Sequence, residues 1–221
     1  MLTLQYLIAN KPTKTQLSFG INENVRLIAI SNAERRNDDE SIINRNTYMT
    51  FAKFNEENVE VAKTELSYFY RKSDDKDPLI RLSTQISQLT HIARLYNPAA
   101  VLDPFQGYTT IEALQQDLTN NLKIKEITDK LYTLFEAEVA NKIGPGSKPF
   151  RMKVVYSSKG YPQLPSDDLI VEDMSIPITQ TKITITDFEL RMKENKNNNN
   201  KPAGLTEQPA SSAAPINLMN I

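Results

Sequence analysis

The residues that could do covalent chemistry are few. The chain holds a single histidine, His91, and no cysteine, so a His-rich or thiolate metal site and a cysteine nucleophile are excluded. His91 lies in Gln88-Leu89-Thr90-His91-Ile92, one residue off an apolar helical stripe, and reads as a helix-surface or boundary residue rather than a catalytic base. Adjacent carboxylates occur at Asp38-Asp39, Asp74-Asp75, Asp167-Asp168 and Glu172-Asp173, and carboxylate pairs can hold magnesium. Neighbours on a strand point to opposite faces, however, and loop carboxylates are solvated, so neither a metal site nor an acid and base pair is read from them. None of the six glycines builds a phosphate-cradling GxxxxGK[ST] loop or a GxGxxG turn. No enzyme activity and no cofactor are expected.

Basic and aromatic residues, by contrast, are interleaved on strand-like segments. In Phe150-Arg151-Met152-Lys153-Val154-Val155-Tyr156, alternation sets Arg151 and Lys153 on one face and Phe150, Met152, Val154 and Tyr156 on the other. One face is cationic and the other can enter a core, which makes Tyr156 a core residue unless a bulge intervenes. The following Ser157-Ser158-Lys159-Gly160-Tyr161 puts Lys159 and Tyr161 on a turn. Tyr48, Phe51, Lys53 and Phe54 share another strand, and Tyr68 to Lys72 end a third. Cations beside flat rings are what single-stranded nucleic acid requires, since cations neutralise phosphates and rings stack on unpaired bases. Aromatic residues on strands also serve cross-strand packing, so part of this set is structural.

The elements that must position these residues change character along the chain. Short apolar runs at Leu2 to Ala9, Asn24 to Ser31, Tyr48 to Phe54 and Val59 to Tyr70 predict strands. The polar stretch Asn32 to Asn46 predicts an exposed, mobile loop. From Asp77 the pattern turns helical, with Leu79, Leu82, Ile86, Leu89, Ile92 and Leu95 at three- and four-residue steps. Asp77 is a fitting N-cap and Pro78 a fitting first position. After Asn97-Pro98 and a loop to about Thr110, the stretch Ile111 to Ile143 predicts two helices broken near Asn120-Asn121, stopping at Gly144-Pro145-Gly146. Strands return at Phe150 to Ser157, Leu169 to Met174 and Lys182 to Phe188.

The predicted class is therefore α+β, with helices at about 77–143 inserted between two sets of strands. One domain spans 1–190, and 191–221 forms a disordered C-terminal tail, polar until Ile216, Leu218, Met219 and Ile221. That apolar tip has the composition of a docking peptide. With 221 residues, 39% hydrophobic and 24% charged, and a formal net charge of −1, the balance is that of a globular protein, and a local basic groove can coexist with acidic loops elsewhere. No run approaches the roughly 20 apolar residues of a membrane helix, and Met1 to Asn10 lacks the pattern of a signal peptide. A cytoplasmic location without membrane contact is expected, in the host cell if the protein is viral.

Three segments carry a family resemblance. Leu17-Ser18-Phe19-Gly20-Ile21-Asn22-Glu23-Asn24-Val25-Arg26-Leu27, then Tyr48-Met49-Thr50-Phe51-Ala52-Lys53-Phe54, and the later Lys148 to Pro165 run with Lys153-Val154-Val155-Tyr156 and Lys159-Gly160-Tyr161 resemble single-stranded DNA-binding proteins of tailed bacteriophages. The resemblance covers about residues 17–188. It implies an OB-type antiparallel β-barrel and a protein that coats exposed strands in phage DNA replication or recombination, with partners among replication or recombination proteins. It further implies DNA contacts at Lys53, Arg151, Lys153, Tyr156, Lys159 and Tyr161, to which the aromatic pattern adds Phe54. Many such proteins end in an acidic tip, whereas only Glu194 and Glu207 are acidic after Leu190 here. The alternative reading is a structural or interaction protein of a virus particle, whose long polar tail threads between subunits.

Overall fold

The computed structural model describes residues 15–36, 43–68, 77–157, 159–191 and 193. Three strands come first, β1 (Gly20–Arg36), β2 (Ile43–Phe54) and β3 (Glu60–Tyr68), followed by helices α1 (Pro78–Tyr96), α2 (Ile111–Asp117) and α3 (Asn121–Val139). The chain returns to strands at β4 (Phe150–Tyr156), β5 (Pro162–Gln163) and β6 (Val171–Asp173). The class is α+β: a six-stranded sheet ordered β3-β2-β1-β4-β5, with β6 also paired to β4 and every ladder antiparallel.

The long β1 organises the sheet because it serves two partners. Its first residues pair with β4 and the rest with β2, and Val25 faces both Phe150 and Lys53. The change of partner needs bends. One falls between Asn22 and Val25, where Asn24 takes φ 55° and its side-chain amide donates to the Phe54 carbonyl at 2.9 Å. An asparagine is among the few residues that tolerate this left-handed backbone, and a bulge there increases local twist.

Helices α1 and α3 cover the inner face. Leu89, Ile92, Leu131 and Phe135 join Leu27, Met49, Phe51, Phe150 and Val154 in the main core, where the Phe51 and Phe150 rings meet edge-on at 6.3 Å. The helix boundaries follow their capping chemistry. Asp77 accepts the Leu79 N–H with Pro78 at the first position, and Asn120 accepts the Leu122 N–H at the start of α3. A smaller cluster of Leu82, Leu114, Leu118, Ile124 and Ile127 holds α2 against its neighbours.

Several expectations change. Asn32 to Asn46 is no loop at its ends: Asn32 pairs with Thr47 and Glu34 with Arg45 in the β1–β2 ladder. Its polar residues are spent on α3, since Arg45 lies 2.5 Å from Glu136 and the Asn32 amide donates to the same carboxylate at 2.9 Å. Lys182 to Phe188 is not a strand but extended chain leading into a helical turn at 187–191. Side chains claim its backbone instead: the Lys182 N–H goes to Glu172 and the Thr184 carbonyl to Lys153. The strand expected at Leu2 to Ala9 lies outside the described residues, as does nearly all of the expected tail.

The sheet does not close on itself. Strands β3 and β5, the two ends of its order, line one cleft through Ser67, Tyr68 and Gln163, but among the described residues no ladder joins them. Two physical reasons are visible. Residues 15–17 already occupy the start of the outer edge of β3: Thr15 bridges Ala62, and the Leu17 N–H donates to Thr64 Oγ1 at 2.8 Å. Moreover, β5 is two residues long and opens with Pro162, which has no N–H to donate.

Candidate nucleic-acid interface

Alternation along β4 is as expected: Phe150, Met152 and Val154 face the core, and Arg151 and Lys153 share the other side. That other side does not face solvent. The chain from Asp167 to Glu189 crosses it, and both cations are buried, Arg151 at 2% exposure and Lys153 at 0%. Arg151 reaches Glu172 at 2.8 Å, Glu23 at 2.9 Å and the Ile176 carbonyl at 3.3 Å. Lys153 pairs with Asp167, with Glu189 at 2.9 Å, and donates to the Thr184 carbonyl at 2.7 Å. The cationic face expected from the sequence is thus neutralised inside the molecule, because carboxylates remote in sequence fold over it.

The electrostatics of this layer are mutually supporting. Burial works against a charged Arg151, but its hydrogen bonds to Glu23 and Glu172 outweigh it and hold the guanidinium above its ordinary pKa. Burial likewise raises the Glu172 carboxyl, and the Lys182 N–H, the Thr181 hydroxyl and Arg151 overcome it, so the group sits below the usual carboxylate range. Asp173, next along β6, points the opposite way and pairs with Lys148, which holds its carboxyl low.

The remaining expected site residues fall into two places. At the far end of β4, Tyr156 is half-buried, and the β4–β5 turn that follows exposes Lys159 and leaves Tyr161 66% exposed. The turn is tied by the Ser157 N–H to the Tyr161 carbonyl at 2.9 Å. Lys53 and Phe54 lie at the opposite end. Lys53 pairs with Val25, which pairs with Phe150, six positions before Tyr156 on β4, or about 20 Å along the strand. Phe54 is buried at 5% exposure beneath the Arg26 guanidinium, 4.5 Å from its ring centre. It is a packing residue. The basic residues therefore do not converge on one groove.

The sequence reading missed two residues at the Tyr156 end. Phe19 sits 5.7 Å from the Tyr156 ring, tilted at 58°, and the Lys193 ammonium lies 5.3 Å from the centre of the Phe19 ring. Lys193 falls within the stretch expected to be tail. A signal for its true position was present in Thr186-Asp187-Phe188-Glu189, a capping box: the Thr186 N–H donates to Glu189 at 2.8 Å and the Glu189 N–H to Thr186 Oγ1 at 3.3 Å. The neighbourhood of Phe19 and Tyr156 depends on sheet register and had no such signal.

Other candidates for chemistry have structural partners. His91 Nδ1 lies 3.2 Å from the Asp168 carbonyl on the flank of α1. Among the described residues no cluster of three or more His, Asp or Glu side chains is placed to hold a metal ion, and no helix is long and apolar enough to cross a membrane. Comparison of the chain with protein families, with curated proteins and with solved structures finds no match.

Proposed function

We propose that this chain is a non-enzymatic protein that binds single-stranded nucleic acid, and more particularly DNA exposed during phage replication or recombination. One observation carries the first step. Tyr156, Lys159 and Tyr161 gather at one end of the sheet with their turn in solvent, and among the described residues no carboxylate pairs with Lys159. Rings and an unneutralised cation are the elements of a stacking and phosphate-binding surface. The strand order adds support. An OB-fold is a five-stranded, partly open barrel that binds oligonucleotides partly through the loop between its fourth and fifth strands. Here the path β3-β2-β1-β4-β5 has its helices between β3 and β4, and the turn bearing Lys159 and Tyr161 is the β4–β5 loop. The second step, to phage DNA, rests on the sequence resemblance.

Fluorescence anisotropy of a labelled oligothymidine titrated with the full chain tests this. Binding should weaken linearly in log–log form with salt, with a slope of about 0.7 per phosphate contacted. Absence of binding at low salt, or a flat salt response, would reject the proposal. Co-purification with intact particles at fixed stoichiometry, together with no oligothymidine binding, would favour the structural-protein alternative.

A further inference from the structure

We infer that Phe19 and Tyr156 form a stacking site for one base of a single-stranded polynucleotide, that Lys193 with Lys159 serves its flanking phosphates, and that buried Lys153 positions Lys193. This rests on the proposed function and names where and how the strand is held. Three observations carry it. The Phe19 and Tyr156 rings are tilted at 58° and both half-buried, so their edges are fixed by packing while part of each ring remains accessible. A side-chain ammonium, that of Lys193, lies over the Phe19 ring at 5.3 Å from its centre. An exposed cation over a phenyl face is held more weakly than a stacked base, so a base can take the ring face and release Lys193 to a neighbouring phosphate.

The third observation explains why a lysine is buried under the C-terminal segment. Lys193 lies in the helical segment that begins at 187, whose apolar side chains anchor it little, since Phe188 is 69% exposed and Leu190 42%. Glu189, in the middle of that turn, does two things at once. It caps the turn through the Thr186 N–H at 2.8 Å and it pairs with Lys153 at 2.9 Å. Lys153, rising from the buried stretch of β4, thus latches the turn, and the turn sets Lys193 over Phe19. On this account Lys153 contacts no phosphate; it acts through Glu189.

The chain contains no tryptophan, so the full-length Phe19→Trp variant carries a single indole at the stacking face. Titrated with oligothymidine, its emission should be quenched in parallel with the anisotropy of the labelled strand, and salt should reverse both. The exposed Lys193→Glu variant should bind several-fold more weakly with a salt slope lower by about 0.7. Glu189→Gln keeps a capping side chain and should lower the slope to the same extent, with no further loss when combined with Lys193→Glu. If anisotropy reports binding while the indole emission stays constant, or Lys193→Glu binds as the parent does, the stacking site is wrong and the proposed function stands. If Glu189→Gln alone retains the parent slope, the positioning role of Lys153 is wrong. If the parent chain binds no oligothymidine, the proposed function falls and this site with it.

Discussion

At Arg151 the guanidinium is 2% exposed and bridges Glu23 and Glu172, the latter side chain 4% exposed. Such a pair is sensitive to which partner is removed. Arg151→Met should cost about 3–5 kcal/mol in denaturant unfolding, because Glu172 is left buried without its cation. Joint replacement, Arg151→Met with Glu172→Met, should recover most of that loss. The same double variant separates architecture from recognition: its oligothymidine affinity should match the parent's, and a large loss of affinity in a stably folded double variant would return Arg151 to the binding surface. Residue type alone marked Arg151 and Lys153 as cations on one strand face. Whether that face met phosphate or carboxylate depended on Asp167, Glu172 and Glu189, which strand alternation cannot locate.

Among the elements, β1 bends at Asn24, where it leaves β4 for β2 within one strand. The bend at Asn24 combines a left-handed backbone with a side-chain hydrogen bond to the edge of the β2–β3 turn. Asn24→Val should destabilise the protein by about 1–3 kcal/mol, since a β-branched residue is poorly tolerated at this φ, whereas Asn24→Gly relieves the backbone and loses only the hydrogen bond. Thermal unfolding of the two variants checks the order; equal stability would show that the side-chain bond, not the backbone, holds the bend. The helices were legible beforehand because their signals are local: Asp77 with Pro78 caps the helix it was expected to cap, and the expected break at Asn120-Asn121 falls where Asn120 caps α3. Extended segments gave weaker signals. Asn32 to Asn46 looked like loop because its polar side chains satisfy a helix more than 80 positions away, as in Arg45 to Glu136.

For the molecule as a whole, acid should loosen the C-terminal layer first. The folded pKa values of Glu172 and Asp173 lie below their ordinary ones, about 4.3 and 3.9. Their stabilisation is therefore complete above that range and is lost as pH falls through the lowered values. The melting temperature should hold from neutral pH to about 5 and decline below 4, with a shallower decline in Asp173→Asn, which removes the Lys148 pair. An identical acid slope in that variant would exclude Asp173 from the effect. What sequence by itself determined is the β, helix, β order, the apolar faces of α1, α3 and β4, the Asp77 cap of α1, and the turn that exposes Lys159 and Tyr161. These follow from side-chain period and local capping, which act within a few residues. Only the tertiary structure decided that β4 is covered on both sides, that the sheet stays open between β3 and β5, and that Phe19 meets both Tyr156 and Lys193. Each of these depends on ladder register or on ion pairs between segments distant in the chain, where burial and charge pairing, rather than local preference, choose the neighbour.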